Sequence, residues 1–301
     1  MPANKPPVCD YEGSDYRTRF WENQGREYED LVERVALQQF LPPRGRTLIE
    51  IGAGFGRLAD EYLGYDKVVL FDYSRSLLRE AQARWGNDSR FLYVAGNWYE
   101  MPFVDSLFSS MVQIRTLHHA AEAPALFQEL ARIAAPQGTY VLEFANKHNL
   151  KAMLRYWAGR QEWSPFTLEP IEFVELNFDF HPRWIREQAT LAGFAPKEMR
   201  TVSHFRFGPI KKAMPTAVLV GLDKMLQRSG NYFQLSPSVF VRILHPSKND
   251  SASPAGFFAC PSCKTPLGEV ENGRLSCANS ACQQQWRVDN GLYDFKEPIA
   301  P

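Results

Sequence analysis

Three glycines at alternate positions, Gly52, Gly54 and Gly56, follow the apolar Leu48, Ile49 and Ile51 in the stretch LIEIGAGFGRLADEY. A strand, a tight turn and a helix read this way, and such a turn lets bare backbone approach a ligand. In a dinucleotide-binding turn, G-x-G-x-x-G, the third glycine lets helix and strand pack closely. Counted from Gly52, that place holds Arg57, and the glycine comes one residue early at Gly56. No lysine-serine or lysine-threonine pair follows, so the turn is not a P-loop. A pyrophosphate or triphosphate is therefore not the favoured ligand. A second cluster, QIRTLHHAAEA, follows a later apolar run and carries Arg115, His118 and His119. A histidine titrates near neutrality and can take a proton from a hydroxyl or an acidic carbon. The structural alternative packs one histidine beneath a ligand and uses the other to cap the next helix. The third cluster is Cys260, Cys263, Cys277 and Cys282, spaced C-x2-C, thirteen residues, C-x4-C. Two thiolate pairs in turns at that separation suit a tetrahedral structural zinc. The second knuckle is two residues longer than the usual C-x2-C and needs an enlarged loop through ANSA. A ribbon without metal, or one with disulfides, is the alternative.

These residues need elements to hold them. From Gly45 to about Pro246, strand-like runs alternate with helical patterns. TLIEIGA leads to a helix expected near Arg57–Tyr65, then to the strand KVVLFDYS. SRSLLREAQARWG sets Leu77, Leu78, Ala81 and Trp85 at helical spacing before a stopping glycine. RFLYVAG, SLFSSMVQI, the helix APALFQELARIAA and GTYVLEFAN continue the pattern, and the helix PRWIREQATLAGF precedes two closing strands, KEMRTVSHFR and SPSVFVRIL. Strands alternating with helices imply right-handed βαβ units and a mostly parallel, doubly wound α/β sheet. Ligands bind at the carboxyl edge of such a sheet, which is where Arg115, His118 and His119 fall.

Two segments break the alternation. Residues 147–181 hold Tyr156, Trp157, Trp163, Phe166, Phe173, Phe178 and Phe180, and residues 205–235 hold a further helical stretch. Insertions at strand ends build substrate pockets or lids, with extra core packing as the alternative. Residues 1–45 form an N-terminal extension whose helix, YEDLVERVALQQFLP, is expected to pack through Leu31, Val35 and Phe40 on the sheet or over the ligand. Residues 247–256 read as a linker to a tail at 257–301. No internal repeat is visible. A tail this short cannot build much of a core, so bound metal would supply its stability.

At 301 residues, 45% hydrophobic and 13% aromatic, the chain can bury a sizeable core. Thirty-four basic residues balance 34 acidic ones, so no global polyanion-binding character appears. Cysteines confined to Cys9 and the tail argue against a secreted disulfide framework. No apolar run reaches the length of a membrane span, and MPANKPPVCD lacks the apolar core of a signal peptide. A cytoplasmic protein is expected.

The consecutive stretches EIGAGFG, VVLFDYS, AGNWYEMPF and TLHHAAEAPALFQELARIAAPQGTYVLEF resemble the ordered motifs of the class I S-adenosylmethionine-dependent methyltransferases, closely over residues 46–146 and loosely to 246. The resemblance implies a seven-stranded Rossmann-like sheet and S-adenosyl-L-methionine as cofactor. It places Glu50 near the donor's amino group and the backbone of Gly52, Ala53, Gly54 and Gly56 against its methionine and ribose. Asp72 would accept bonds from both ribose hydroxyls with Tyr73 beside it, and Asn97 and Trp98 would contact adenine. An aspartate is commoner than Asn97 at that place in the family. Arg115 completes the expected donor site, and His118 and His119 are the candidate bases. The tail, with WRVDNGLYDF, looks like a small zinc ribbon related to a methyltransferase-activating subunit.

No Asn-Pro-Pro-Tyr-type motif follows the fourth strand, and residues 10–259 contain no cysteine to attack cytosine C5. Oxygen, carbon or ordinary nitrogen acceptors remain. The aromatic insertion favours a small apolar or planar molecule. Methylation of RNA or protein, with the ribbon as recognition or activating element, is the alternative. A non-catalytic protein that keeps the donor pocket and, more distantly, a dehydrogenase complete the set. The oligomeric state is left open by the sequence.

Overall fold

The computed structural model describes residues 5–22, 24–246 and 256–299. Of the linker expected at 247–256, only Gly256 lies within the described residues. In chain order the elements are α1 (Tyr16–Phe20), α2 (Glu27–Phe40), β1 (Gly45–Ile51), β2 (Tyr65–Asp72), α3 (Arg75–Trp85), β3 (Phe91–Ala95), β4 (Phe108–Gln113), α4 (Ala123–Ile133) and β5 (Ala134–Ala145). There follow α5 (Leu150–Trp157), β6 (Ile171–Val174), β7 (Asn177–Asp179), α6 (Pro182–Leu191), β8 (Ala195–Val202), α7 (Gly208–Ala213), α8 (Thr216–Gln227) and β9 (Ser238–Leu244). The tail adds β10 (Arg274–Ser276), β11 (Gln285–Asp289) and β12 (Leu292–Asp294).

The main sheet runs β10-β11-β12-β3-β2-β1-β4-β5-β9-β8. Seven of these strands form the expected doubly wound unit. β1 pairs in parallel with both β2 and β4, and the strand order reverses there. β9 alone of the seven runs antiparallel to its neighbours, β5 and β8. The other three strands come from the tail, which extends the same sheet: β12 lies parallel to β3, with Leu292 opposite Tyr93 and Asp294 opposite Ala95. An open edge strand is a template for pairing, and here the chain's own C-terminus fills it.

Phe103 anchors the joint. It is fully buried, meets Phe71 and Phe108 edge-on, and stacks on Phe258 of the tail at 5.9 Å. Burying a phenylalanine contributes about 1.5–3 kcal/mol, so this cluster resists separation of tail and sheet. Lys264 to Glu129 (2.9 Å) and Arg75 to Asp294 (2.8 Å) flank it.

Two local expectations change. After the glycine turn the expected helix near Arg57–Tyr65 is only a single 3-10 turn, Ala59–Tyr62. β2 already begins at Tyr65, and turns at residues 54–58 and 63–64 take up most of the intervening chain. α2 buries Tyr28, Val32, Ala36, Leu37 and Phe40, while Leu31 is 37% exposed, so the packed face is rotated from the Leu31–Val35 side. The Tyr28 hydroxyl donates to the buried Asp223 of α8, and Gln227 Nε2 donates to Val32 O (3.0 Å), which fixes that face. In the 147–181 insertion, α5 is followed by the short antiparallel hairpin of β6 and β7.

Candidate functional site

β1 ends at Ile51, and the chain turns through Gly52 and Gly54 with φ of 73° and 53°. A Cβ on Gly52 would lie 2.2 Å from Thr116 Cγ2, so both the backbone angle and the neighbour demand glycine there. A Cβ on Gly54 would meet only Leu77 Cδ1, at 3.9 Å, and would project into a cavity. That cavity, about 810 Å³, sits at the β1/β4 reversal, where open α/β sheets bind ligands. Its walls include Glu50, Ala53, Asp72, Tyr73, Trp98 and Arg115.

Glu50 is buried at the end of β1, and its Oε2 has no hydrogen-bond partner among the described residues. Burial raises its carboxyl to about 8, with the charge of Arg57 offsetting this only in part. The Tyr62 hydroxyl lies near enough to this carboxyl to lower it, yet a buried oxygen left without a partner is costly unless a cation or donor reaches it. Asp72, at the tip of β2, is half-buried and shapes the site directly. Its Oδ2 accepts from Gly54 N (2.8 Å) and its Oδ1 from Ser74 N (2.8 Å), which ties the glycine turn to the start of α3. Each oxygen keeps a further lone pair. Burial raises this carboxyl, opposed by the backbone donors.

The far wall is a charge network that the sequence did not reveal. Glu33 of α2, fully buried, binds Arg115 through Oε1 and Arg57 through Oε2 (2.9 Å). Burial alone would raise Glu33, but the two guanidiniums, Arg115 first, hold it below the usual carboxylate range. Arg115 has a left-handed φ of 59°, and its N–H donates to Glu143 Oε2 (2.8 Å). Trp21 lies over both guanidiniums, 3.9 Å from Arg57 and 5.1 Å from Arg115. With Tyr11 and Tyr16 it closes the cavity from the N-terminal side. The aromatic run Tyr11, Tyr16, Phe20, Trp21 before α2 is the signal that could have pointed to this cover.

His119 also lines the cavity. Its Nδ1 sits 2.8 Å from Leu176 O, a pure acceptor, so Nδ1 carries the proton. Nε2 is then the acceptor, 3.1 Å from the Tyr11 hydroxyl. Burial lowers the His119 pKa, which keeps the ring neutral. His118 packs ring to ring on His119 at 4.0 Å and does not line the cavity. Two other expected residues also lie off it. Asn97 accepts from Tyr99 N (2.9 Å) and forms a turn, and Gly56 packs against Ala81 and Leu70.

The four tail cysteines are unlinked, and their sulfurs all lie within 4.8 Å of one another. The Cys263–Cys277 and Cys260–Cys282 separations are 3.4 and 3.8 Å. A tetrahedron of sulfurs about 2.3 Å from a zinc ion has edges of about 3.8 Å, whereas a disulfide would need about 2.05 Å. Asn279 Oδ1 accepts from Ala281 N (3.0 Å), which is how the longer second knuckle closes.

Residues 49–142 match the family model described as a methyltransferase domain. A 24-methylenesterol C-methyltransferase 2 of Oryza sativa subsp. japonica is 33% identical over 115 residues, 36% of this chain and 31% of that protein. The chain thus matches about a third of that relative's length. Among solved structures, a chain from the complex of the Haloferax volcanii Trm112 methyltransferase activator with a candidate methyltransferase superposes with a TM-score of 0.54 at 17% identity, covering 77% of this chain and 97% of that one. An S-adenosylmethionine-dependent methyltransferase of Mesorhizobium loti gives 0.51 at 20% identity, covering 72% and 99%. Residues 49–142 thus match a methyltransferase-domain model, and the α/β sheet that reverses at β1 and β4 has the Rossmann-like methyltransferase fold.

Proposed function

We propose that the chain transfers a methyl group from S-adenosyl-L-methionine to an oxygen, carbon or nitrogen of a small apolar or planar acceptor. The observation that carries this is the orphaned carboxyl oxygen of Glu50 in the same cavity as a glycine turn braced by Asp72. The donor's chemistry fits those groups. Glu50 is placed for its ammonium, the free lone pairs of Asp72 for its ribose hydroxyls, and the Gly52–Gly54 backbone for the chain between them. Tyr73 and Trp98 supply apolar walls for the adenine. Bound there, the donor supplies a methyl carbon on a sulfonium, open to in-line displacement.

The chain's own residues then position and desolvate the acceptor. Trp21, Tyr11 and Tyr16 exclude water. Where the acceptor carries a hydroxyl or acidic C–H, His119 Nε2 takes the proton; this assigns the role to His119 rather than to its neighbour His118. The four cysteines hold a structural zinc, which stiffens the tail so that β12 can cover the β3 edge. The tail in this reading acts as a built-in activating element. It reaches the donor site through Lys296, which lies 3.9 Å from the Tyr73 ring and pairs with Asp10 at 3.1 Å. Removing residues 248–301 is expected to cost turnover and solubility together; a truncated chain with both intact would remove this role.

Radiolabelled methyl transfer to fractionated lysate tests the acceptor class. Label in the small-molecule or lipid extract is expected. Label confined to RNA or protein would favour the alternative in which the tail recognises a macromolecule.

A further inference from the structure

A second and larger cleft, about 1950 Å³, opens between α5 on one side and the segment from Ser203 through α7, α8 and Leu235 on the other. Its floor is the carboxyl edge of the sheet. Ser203 and His204 follow β8, Asn149 follows β5, and Ser236 precedes β9. The walls are apolar and exposed: Leu150, Leu154, Phe207, Leu226, Phe233 and Leu235 are each 43–67% exposed. An exposed apolar concavity of this kind marks a ligand or interaction site.

Its charges have one sign. Lys151, Arg155, Arg160 and Arg206 line the cleft, and no aspartate or glutamate does. Among the described residues none of these four cations has an ion pair or side-chain hydrogen bond; Glu162, two residues from Arg160, is exposed but does not line the cleft, and Asp223 is buried against Tyr28 and His204. Arg206 is exposed as a residue, and its charge reaches the donor cavity: burial of the guanidinium and then Arg115, which lines that cavity, depress it, while Glu33, Glu143 and Glu29 oppose the shift.

We propose that this cleft binds the acceptor itself, and that the acceptor is an amphipathic anion: an alkyl or prenyl chain along the leucine walls with a carboxylate or phosphate on Arg206. The proposal rests on the methyltransferase reading and narrows its acceptor. Arginine suits the head group because its planar fork matches either anion in a bidentate manner. Single-stranded RNA would instead want a track of aromatic platforms, and four of the six exposed apolar wall residues are leucines.

The test is calorimetric titration of the full chain with dodecyl phosphate below its micellar concentration. Saturable one-to-one binding is expected. It should weaken at least tenfold in Arg206→Gln and in Leu154→Ser, and both variants should bind S-adenosylhomocysteine as the wild type does. Inorganic phosphate should bind at least a hundredfold more weakly, and dodecanol at least tenfold. Dodecyl phosphate binding that ignores Arg206→Gln, equal binding of dodecanol, or recruitment to anionic vesicles without binding of the single lipid would overturn the proposal. So would an RNA oligonucleotide that binds more tightly than dodecyl phosphate and loses affinity in Arg206→Gln. Loss of S-adenosylhomocysteine binding by the wild-type chain would count against the donor reading instead, so the two failures are distinct.

Discussion

Glu50 carries the most informative single charge in the molecule. Its carboxyl is raised to about 8 by burial, so between the unfolded value near 4.3 and about 8 the folded chain binds the extra proton. The corresponding stability is complete below the unfolded value and is lost as pH rises through the folded one. Ligand-free wild type should therefore lose thermal stability from pH 5 to 8 relative to Glu50→Gln; parallel melting curves for the two would contradict the assignment. An ammonium placed against Glu50 should expel that proton, so donor binding at pH 7 should release a proton to the buffer, and Glu50→Gln should abolish that release. At His119, substitution by alanine should lower kcat a hundredfold or more, with S-adenosylhomocysteine affinity unchanged, the scale of a lost general base. His118→Ala should leave the pH–rate profile in place. The reverse ranking of the two would move the base to His118.

Elements decide how much of this the sequence could disclose. The alternation of strands and helices was legible because each apolar run is short and bounded by glycine or a turn, and the cysteine spacing marked the tail's knuckles. That Glu50, Gly52, Gly54 and Asp72 meet at one cavity was legible because they sit at the ends of adjacent strands, where chain order fixes position. Glu33 and Trp21 were not, because their partners Arg57 and Arg115 are brought to them only by the packing of α2 against α8 and the sheet. The face of α2 was misjudged for the same reason: Tyr28 and Glu33 bury polar atoms against partners that no local periodicity reveals. At this scale the tail makes its own prediction. The purified chain should contain one equivalent of zinc by atomic emission, and Cys263→Ser should lower the melting temperature and the metal content together. A metal-free wild-type chain of unchanged stability would remove zinc from the account.

The whole molecule joins three pieces along one sheet. The cavity proposed for the donor lies over β1 and β2, the apolar cleft over β5, β8 and β9, and the tail closes the β3 edge. Among the described residues no helix is long and apolar enough to cross a membrane. Fold alone does not fix chemistry, and the case for methyl transfer stands on the groups that face the donor cavity. Lys296 links two of the pieces, since it meets Asp10 of the N-terminal segment and the Tyr73 ring at once. The most direct measurement is a calorimetric titration of S-adenosylhomocysteine into wild type and Asp72→Ala, with the variant's folding confirmed by its unfolding curve. Saturable binding to the wild type is predicted, weaker in the variant by about 1.5–3 kcal/mol, the scale of hydrogen bonds to a charged group. Equal dissociation constants in the two proteins would contradict it.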